Sequence, residues 1–110
     1  MYQRHELGRN GEEISCDYLE NKGYEILERN FRYKKYEIDI IAKDKNELVF
    51  IEVKTRSQKE YGLPAESVTK IKQKHICKAA RFYLHIHKKE NDFVRFDVIE
   101  VLFIIHSDFI

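Results

Sequence analysis

The chain has 110 residues, 43% hydrophobic and 35% charged, with seven Tyr and seven Phe; this fits one globular domain over 1–110 and excludes a disordered chain. A net charge of +1 gives no overall polycation. No apolar run approaches the roughly 20 residues needed to cross a bilayer, and the polar start MYQRHELGRNGEE lacks a signal-peptide core, so a cytoplasmic protein without a membrane partner is expected.

Residues 5–22 predict a helix with Leu7, Gly11, Ile14, Tyr18 and Leu19 along its buried stripe and Gly23 as its stop. A strand is expected over 24–32, and two more over 36–43 and 47–54, joined by the tight turn that KDKN invites. The segment TRSQKEYGLPAES, with the sole proline, reads as a loop. Thr69 is placed to cap a helix running to about His87, with Ile71, Ile76, Ala79, Ala80, Phe82, Tyr83 and Ile86 on its buried side. Residues 93–105, rich in β-branched and aromatic side chains, predict the last strand. The order α-β-β-β-α-β implies an α/β domain: a mixed sheet flanked by helices, with a parallel crossover through the second helix. Cys16 and Cys77 lack CxxC spacing and read as reduced thiols, and His85 and His87 are poorly spaced to share a metal.

The middle hairpin concentrates the chemistry. A two-residue turn at Lys45-Asn46 makes facing residue numbers add to 91. One face then pairs Ile38 with Val53, Ile40 with Ile51 and Ala42 with Val49, all apolar. The other pairs Glu37 with Lys54, Asp39 with Glu52, Ile41 with Phe50 and Lys43 with Leu48. Two carboxylates directly opposite repel each other, and a divalent cation between them reverses that sign. An ordinary Glu37–Lys54 ion pair with Asp39 and Glu52 in water is the plainer alternative. Ile41 and Phe50 favour a covered face, and partly buried acids need partners.

Hard oxygen donors suit Mg²⁺ or Mn²⁺. Asp39 and Glu52 would be direct ligands, with the Val53 carbonyl as a third oxygen. Lys54 would orient or activate a water, or stabilise a pentacovalent transition state; the sequence leaves these roles open. Glu12 on the first helix is a further metal candidate, or one of several exposed acids. Gln73 is a phosphate-contact candidate, or a solvent-facing side chain.

The pattern D-x(12)-E-x-K on two hairpin strands, after a helix bearing Glu, resembles the PD-(D/E)xK nuclease superfamily, which has a restriction-endonuclease-like core of this element order. The runs GRNGEE, YLENKGYEILERNFR, EIDIIAKD, LVFIEVKTR, ESVTKIKQ, AARFYL and RFDVIEV look like the bacterial YraN-like family (UPF0102), which is similar to archaeal Holliday junction resolvases. The resemblance implies an active-site set of Glu12, Asp39, Glu52 and Lys54, with Gln73 as an auxiliary residue. Tyr36 departs from the family, which often has Gly before E-I-D. A resolvase-like nuclease also makes a homodimer attractive, by analogy.

Residues 54–89 carry ten Lys/Arg against Glu60 and Glu66. This basic block, with Arg56, Lys59, Lys70, Lys72, Lys74, Lys78 and Arg81, is expected to contact DNA phosphates alongside Gln73, without reading bases. The expected function is a metal-dependent endonuclease acting on DNA, especially branched or structured DNA. The alternative is a nucleic-acid-binding module that has a nuclease fold and little turnover.

Overall fold

The structure, a computed structural model, describes the backbone of residues 4–57 and 68–103 and the side chains of 11–56 and 68–102. Its elements follow the expected order: α1 (Arg4–Asn21), β1 (Glu25–Tyr33), β2 (Tyr36–Asp44), β3 (Glu47–Ser57), α2 (Lys70–Ile86) and β4 (Phe93–Phe103). The strands form one mixed sheet in the order β1-β2-β3-β4. The first two pairings are antiparallel and β3–β4 is parallel, with α2 as the intervening element. No helix among the described residues is long and apolar enough to cross a membrane.

The helices cover opposite faces. Cys16 and Leu19 of α1 pack with Ile40, Ala42, Val49 and Ile51. Ala79, Ala80 and Tyr83 of α2 pack with Ile38, Ile41, Leu48 and Phe50. Alternation along β3 therefore sends even-numbered residues toward α2 and odd-numbered residues toward α1.

Helix α1 stops where Gly23 takes φ +92°. Gly23 N–H donates to Glu20 O and Tyr24 N–H to Leu19 O, both at 2.9 Å, which is a Schellman closure. Its buried stripe differs from the expected one. Ile14 and Tyr18 are 46% and 52% exposed, whereas Gly11, Ser15, Cys16 and Leu19 are buried. Ser15 can face inward because its hydroxyl donates to Gly11 O at 2.8 Å. The side chain of Leu7 lies outside the described residues. In α2, Thr69 is the cap, accepting from Lys72 N at 3.1 Å. Ile71 and Ile86, expected to be buried, are 68% and 48% exposed; the α2 side chains that are buried against the sheet are Ala79, Ala80 and Tyr83.

The hairpin register is the expected one from Asp44–Glu47 to Ile40–Ile51, with residues 45 and 46 as the turn. The paired ladder ends there, short of Asp39–Glu52, Ile38–Val53 and Glu37–Lys54. The expected single face of Ile38, Ile40 and Ala42 is also corrected: Ile38 packs on the α2 side and Ile40 on the α1 side. The face changes at Asp39, next to Asn30 of β1, whose φ is +53°. At the opposite end of the hairpin, Arg95 bridges β4 to Asp44 and Glu47 at 3.3 Å each, to Asp97 at 3.1 Å, and to the Tyr24 hydroxyl at 2.7 Å.

Candidate active site

The site opens where β2 leaves β3. Val53 N–H donates to Asp39 Oδ2 at 2.7 Å, so a side-chain oxygen takes over from a backbone acceptor as the ladder ends. Continued backbone pairing would have occupied this N–H; with the strands parted, Asp39 turns toward β3. Glu52, on the α2 face of β3, is 8% exposed. Asp39 and Glu52 line one cleft of about 380 Å³, walled by Tyr36 and Glu37 of β2 and by Lys72 and His75 of α2.

Three carboxylates, Glu37, Asp39 and Glu52, line this cleft together with Lys35 and Lys72. Burial raises the Asp39 carboxyl from an ordinary 3.8 to about 6; the Val53 N–H opposes the rise, and the negative charges of Glu52, Glu12 and Glu37 add to it. Lys72 Nζ sits 2.5 Å from Glu52 Oε1. That hydrogen bond raises the Lys72 pKa further above its usual range, against the opposing effect of burial.

The Glu12 carboxylate approaches the site from the α1 side. Helix and sheet come close because position 11 is glycine: a Cβ there would lie 2.3 Å from Thr55 Oγ1. Glu12 Oε2 is 3.9 Å from Arg29 Nη2. The Asn30 amide, in the orientation that satisfies its neighbours, donates to Glu12 Oε2 at 3.2 Å and to Glu37 Oε1 at 3.0 Å. Arg32 Nη2 holds the same Glu37 at 2.9 Å from its Oε2. Glu37 is thus engaged along β1 and does not form the cross-strand pair with Lys54; Lys54 makes no ion pair with any described residue. By the alternation of β3 it follows Glu52 on the α2 face.

The other predicted residues are more dispersed. Gln73 Nε2 donates to Val68 O at 2.8 Å, securing the start of α2. Arg56 Nη1 bonds Glu100 Oε1 at 2.8 Å across the parallel strands. Lys70 and Lys74 are exposed on α2. Lys72, expected on a phosphate, instead holds Glu52. Lys59 lies outside the described residues. Among the described residues no three His, Cys, Asp or Glu side chains are gathered as a ready-made metal site, so Asp39 and Glu52 stand as a pair.

Asn30 and Arg29 are among the residues of this site that escaped the sequence reading. Asn30 carried a signal: Asn is depleted in strands and tolerates left-handed backbone, so its place inside ERNFR marked a break. Arg29, whose partner Glu12 is 17 positions earlier on another element, carried none.

Residues 11–101 match the family model of the "Uncharacterised protein family UPF0102". A UPF0102 protein of Caldicellulosiruptor saccharolyticus is 48% identical over 98 residues, covering 89% of this chain and 83% of its own. One from Clostridium botulinum is 55% identical over 102 residues, covering 92% and 83%. One from Chlorobium limicola is 54% identical over 98 residues, covering 89% and 76%. With its α-β-β-β-α-β architecture and matches across nearly its whole length, the chain belongs to the uncharacterised family UPF0102.

Proposed function

We propose that the protein is a metal-dependent endonuclease that hydrolyses phosphodiester bonds in DNA, with branched or structured DNA as its substrate. The observation that carries this reading is the pairing of Asp39 with Glu52 in one cleft at the parted end of the hairpin, two positions before Lys54 on the same strand. An Asp whose carboxyl is lifted to about 6 by burial, beside three other carboxylates, supports a functional role.

The donor set fits Mg²⁺ or Mn²⁺. It offers hard oxygens, and among the described residues Lys72, itself half exposed, is the cation paired with Glu52. Asp39, Glu52 and the Val53 carbonyl would hold the ion, and waters would complete its coordination. When bound, such a cation supplies Lewis acidity toward the phosphate and its attacking water.

The remaining work falls to the chain. Lys54 donates hydrogen bonds to a phosphate oxygen or orients the attacking water. Arg29 and Asn30 restrain the Glu12 carboxylate on the α1 side. Lys70 and Lys74 offer exposed cations to the DNA backbone.

The test is cleavage of labelled junction, flap and linear DNA with Mg²⁺ or Mn²⁺ by the wild type, Asp39→Ala and Lys54→Ala. The expected result is metal-dependent cleavage by the wild type alone. Equal cleavage by all three proteins would reveal a contaminant and reject the enzyme on those substrates.

A further inference from the structure

Beside the acidic cleft is a second hollow of about 470 Å³, floored by Tyr33, Tyr36 and Phe82 and rimmed by Lys34, Lys78 and Arg81. Among the described residues no Asp or Glu lines it. The Tyr33 ring stacks on Phe82 at 4.4 Å between centroids, inclined by 23°, and Tyr36 lies 4.4 Å from His75. Lys34 sits 5.3 Å from the centre of the Tyr33 ring, and Lys78 and Lys35 sit 5.6 and 5.8 Å from that of Tyr36. These three lysines are exposed, on flexible stems. Tyr36 is shared: it also walls the cleft that holds Asp39 and Glu52.

The geometry points to a nucleotide-binding platform in this hollow, which takes an unpaired base of DNA on Tyr33 and Tyr36 and its phosphate on Lys34, Lys78 and Arg81. The proposal rests on the nuclease reading and gives it a substrate class: DNA with unpaired nucleotides adjoining the cut. Aromatic faces interleaved with cations are what single-stranded nucleic acid requires, because every base has a π-face and every linkage a charge. A phosphate would draw the lysine ammonium groups off the tyrosine rings and leave the rings to the base. The base of an intact duplex is already stacked on its neighbours and paired, so it cannot lie here without being extruded. An acidic peptide would satisfy the cations but leave the aromatic floor unused. Because Tyr36 borders both hollows, a strand running from the acidic cleft reaches the platform directly.

The experiment separates binding from catalysis. In EDTA, fluorescence anisotropy compares the full chain on a labelled oligothymidylate, a blunt duplex of equal length and a forked duplex. Single strand and fork should bind about tenfold more tightly than blunt duplex, the scale of one or two stacked bases. Tyr33→Leu should abolish that preference and spare duplex binding, while Tyr36→Phe should keep the preference. As a readout needing no variant, 5-iododeoxyuridine in the single strand should photocrosslink to Tyr33, Tyr36 or Phe82. Equal affinity of the wild type for single strand and blunt duplex, crosslinks confined to other residues, or equally effective competition by polyglutamate would overturn the platform. A retained single-strand preference without metal-dependent cleavage would remove the nuclease reading and leave the platform standing; cleavage without the preference would do the reverse.

Discussion

Lys72 Nζ lies 2.5 Å from Glu52 Oε1, reaching from the first turn of α2 to a nearly buried carboxylate on β3. It engages one oxygen of a carboxylate proposed to hold a divalent cation. Removing the lysine has two opposite consequences. Without metal, Glu52 is left unpaired, and Lys72→Met should lower stability by about 1–3 kcal/mol, the cost of orphaning a buried acceptor. With metal, the competitor is gone, so Mn²⁺ affinity measured calorimetrically should rise above that of the wild type. Weaker Mn²⁺ binding in the variant would mean that Lys72 organises the site rather than competes for it.

Asp39 makes the metal-free protein pH-sensitive in a specific direction. Its carboxyl titrates at about 6 in the folded state, chiefly through burial, against an ordinary 3.8. The folded state therefore holds the proton more tightly, and stability from this group is fully present below pH 3.8 and is lost as pH rises through about 6. The shift sets an upper bound of about 3 kcal/mol, which solvent screening of this partly exposed group reduces to roughly 1–2 kcal/mol. Urea unfolding in EDTA between pH 4 and 7 should show the decline, and Asp39→Asn should flatten it. An identical slope in the variant would assign the pH dependence to other groups.

The element order, and the hairpin register as far as Ile40–Ile51, were legible because both follow from local patterning: alternation over ELVFIEVK and the turn-proximal end of YEIDIIAK, a polar turn between them, and Thr69 before a 3.6-residue period. The parting of β2 from β3 at Asp39 was not. It depends on a side chain replacing a backbone partner and on the left-handed Asn30 of the neighbouring strand, both tertiary events. The same limit misplaced part of the α1 stripe. Ile14 and Tyr18 are a more apolar choice than Ser15, yet the close approach at Gly11 accompanies an inward turn of Ser15 and Cys16 instead, beside the expected Leu19. Glu12, Asp39, Glu52 and Lys54 could be chosen as residue types, whereas the Lys72–Glu52 pair joins elements whose contact the sequence does not encode locally.

That close approach is itself testable. Gly11→Ala would gain up to about 1 kcal/mol of helix propensity in isolation. Here the new Cβ would lie 2.3 Å from Thr55 Oγ1, and overpacking of this kind costs about 1–3 kcal/mol. The single variant should melt lower than the wild type. Thr55→Ala in the same chain should restore most of the loss, because the Thr55 Cβ is 3.5 Å away. A double variant no more stable than Gly11→Ala would place the conflict elsewhere.

Asn30 combines a backbone requirement with a side-chain one, and two substitutions separate them. Its φ of +53° costs an ordinary residue about 1–2 kcal/mol. Its amide bridges the carboxylates of Glu12 and Glu37. Asn30→Gly keeps the conformation and loses the bridge; Asn30→Ala loses both. The alanine variant should therefore unfold at lower urea than the glycine variant, reversing the usual order of these residues in a strand. Asn30→Asp tolerates the same backbone but replaces the donor with another negative charge beside Glu12 and Glu37. It should be less stable than the wild type at neutral pH in EDTA, and added salt should narrow the gap by screening the repulsion. A glycine variant as unstable as alanine would place the weight of Asn30 in its amide bridge, and an aspartate variant with wild-type stability at neutral pH would mean that the bridge contributes little.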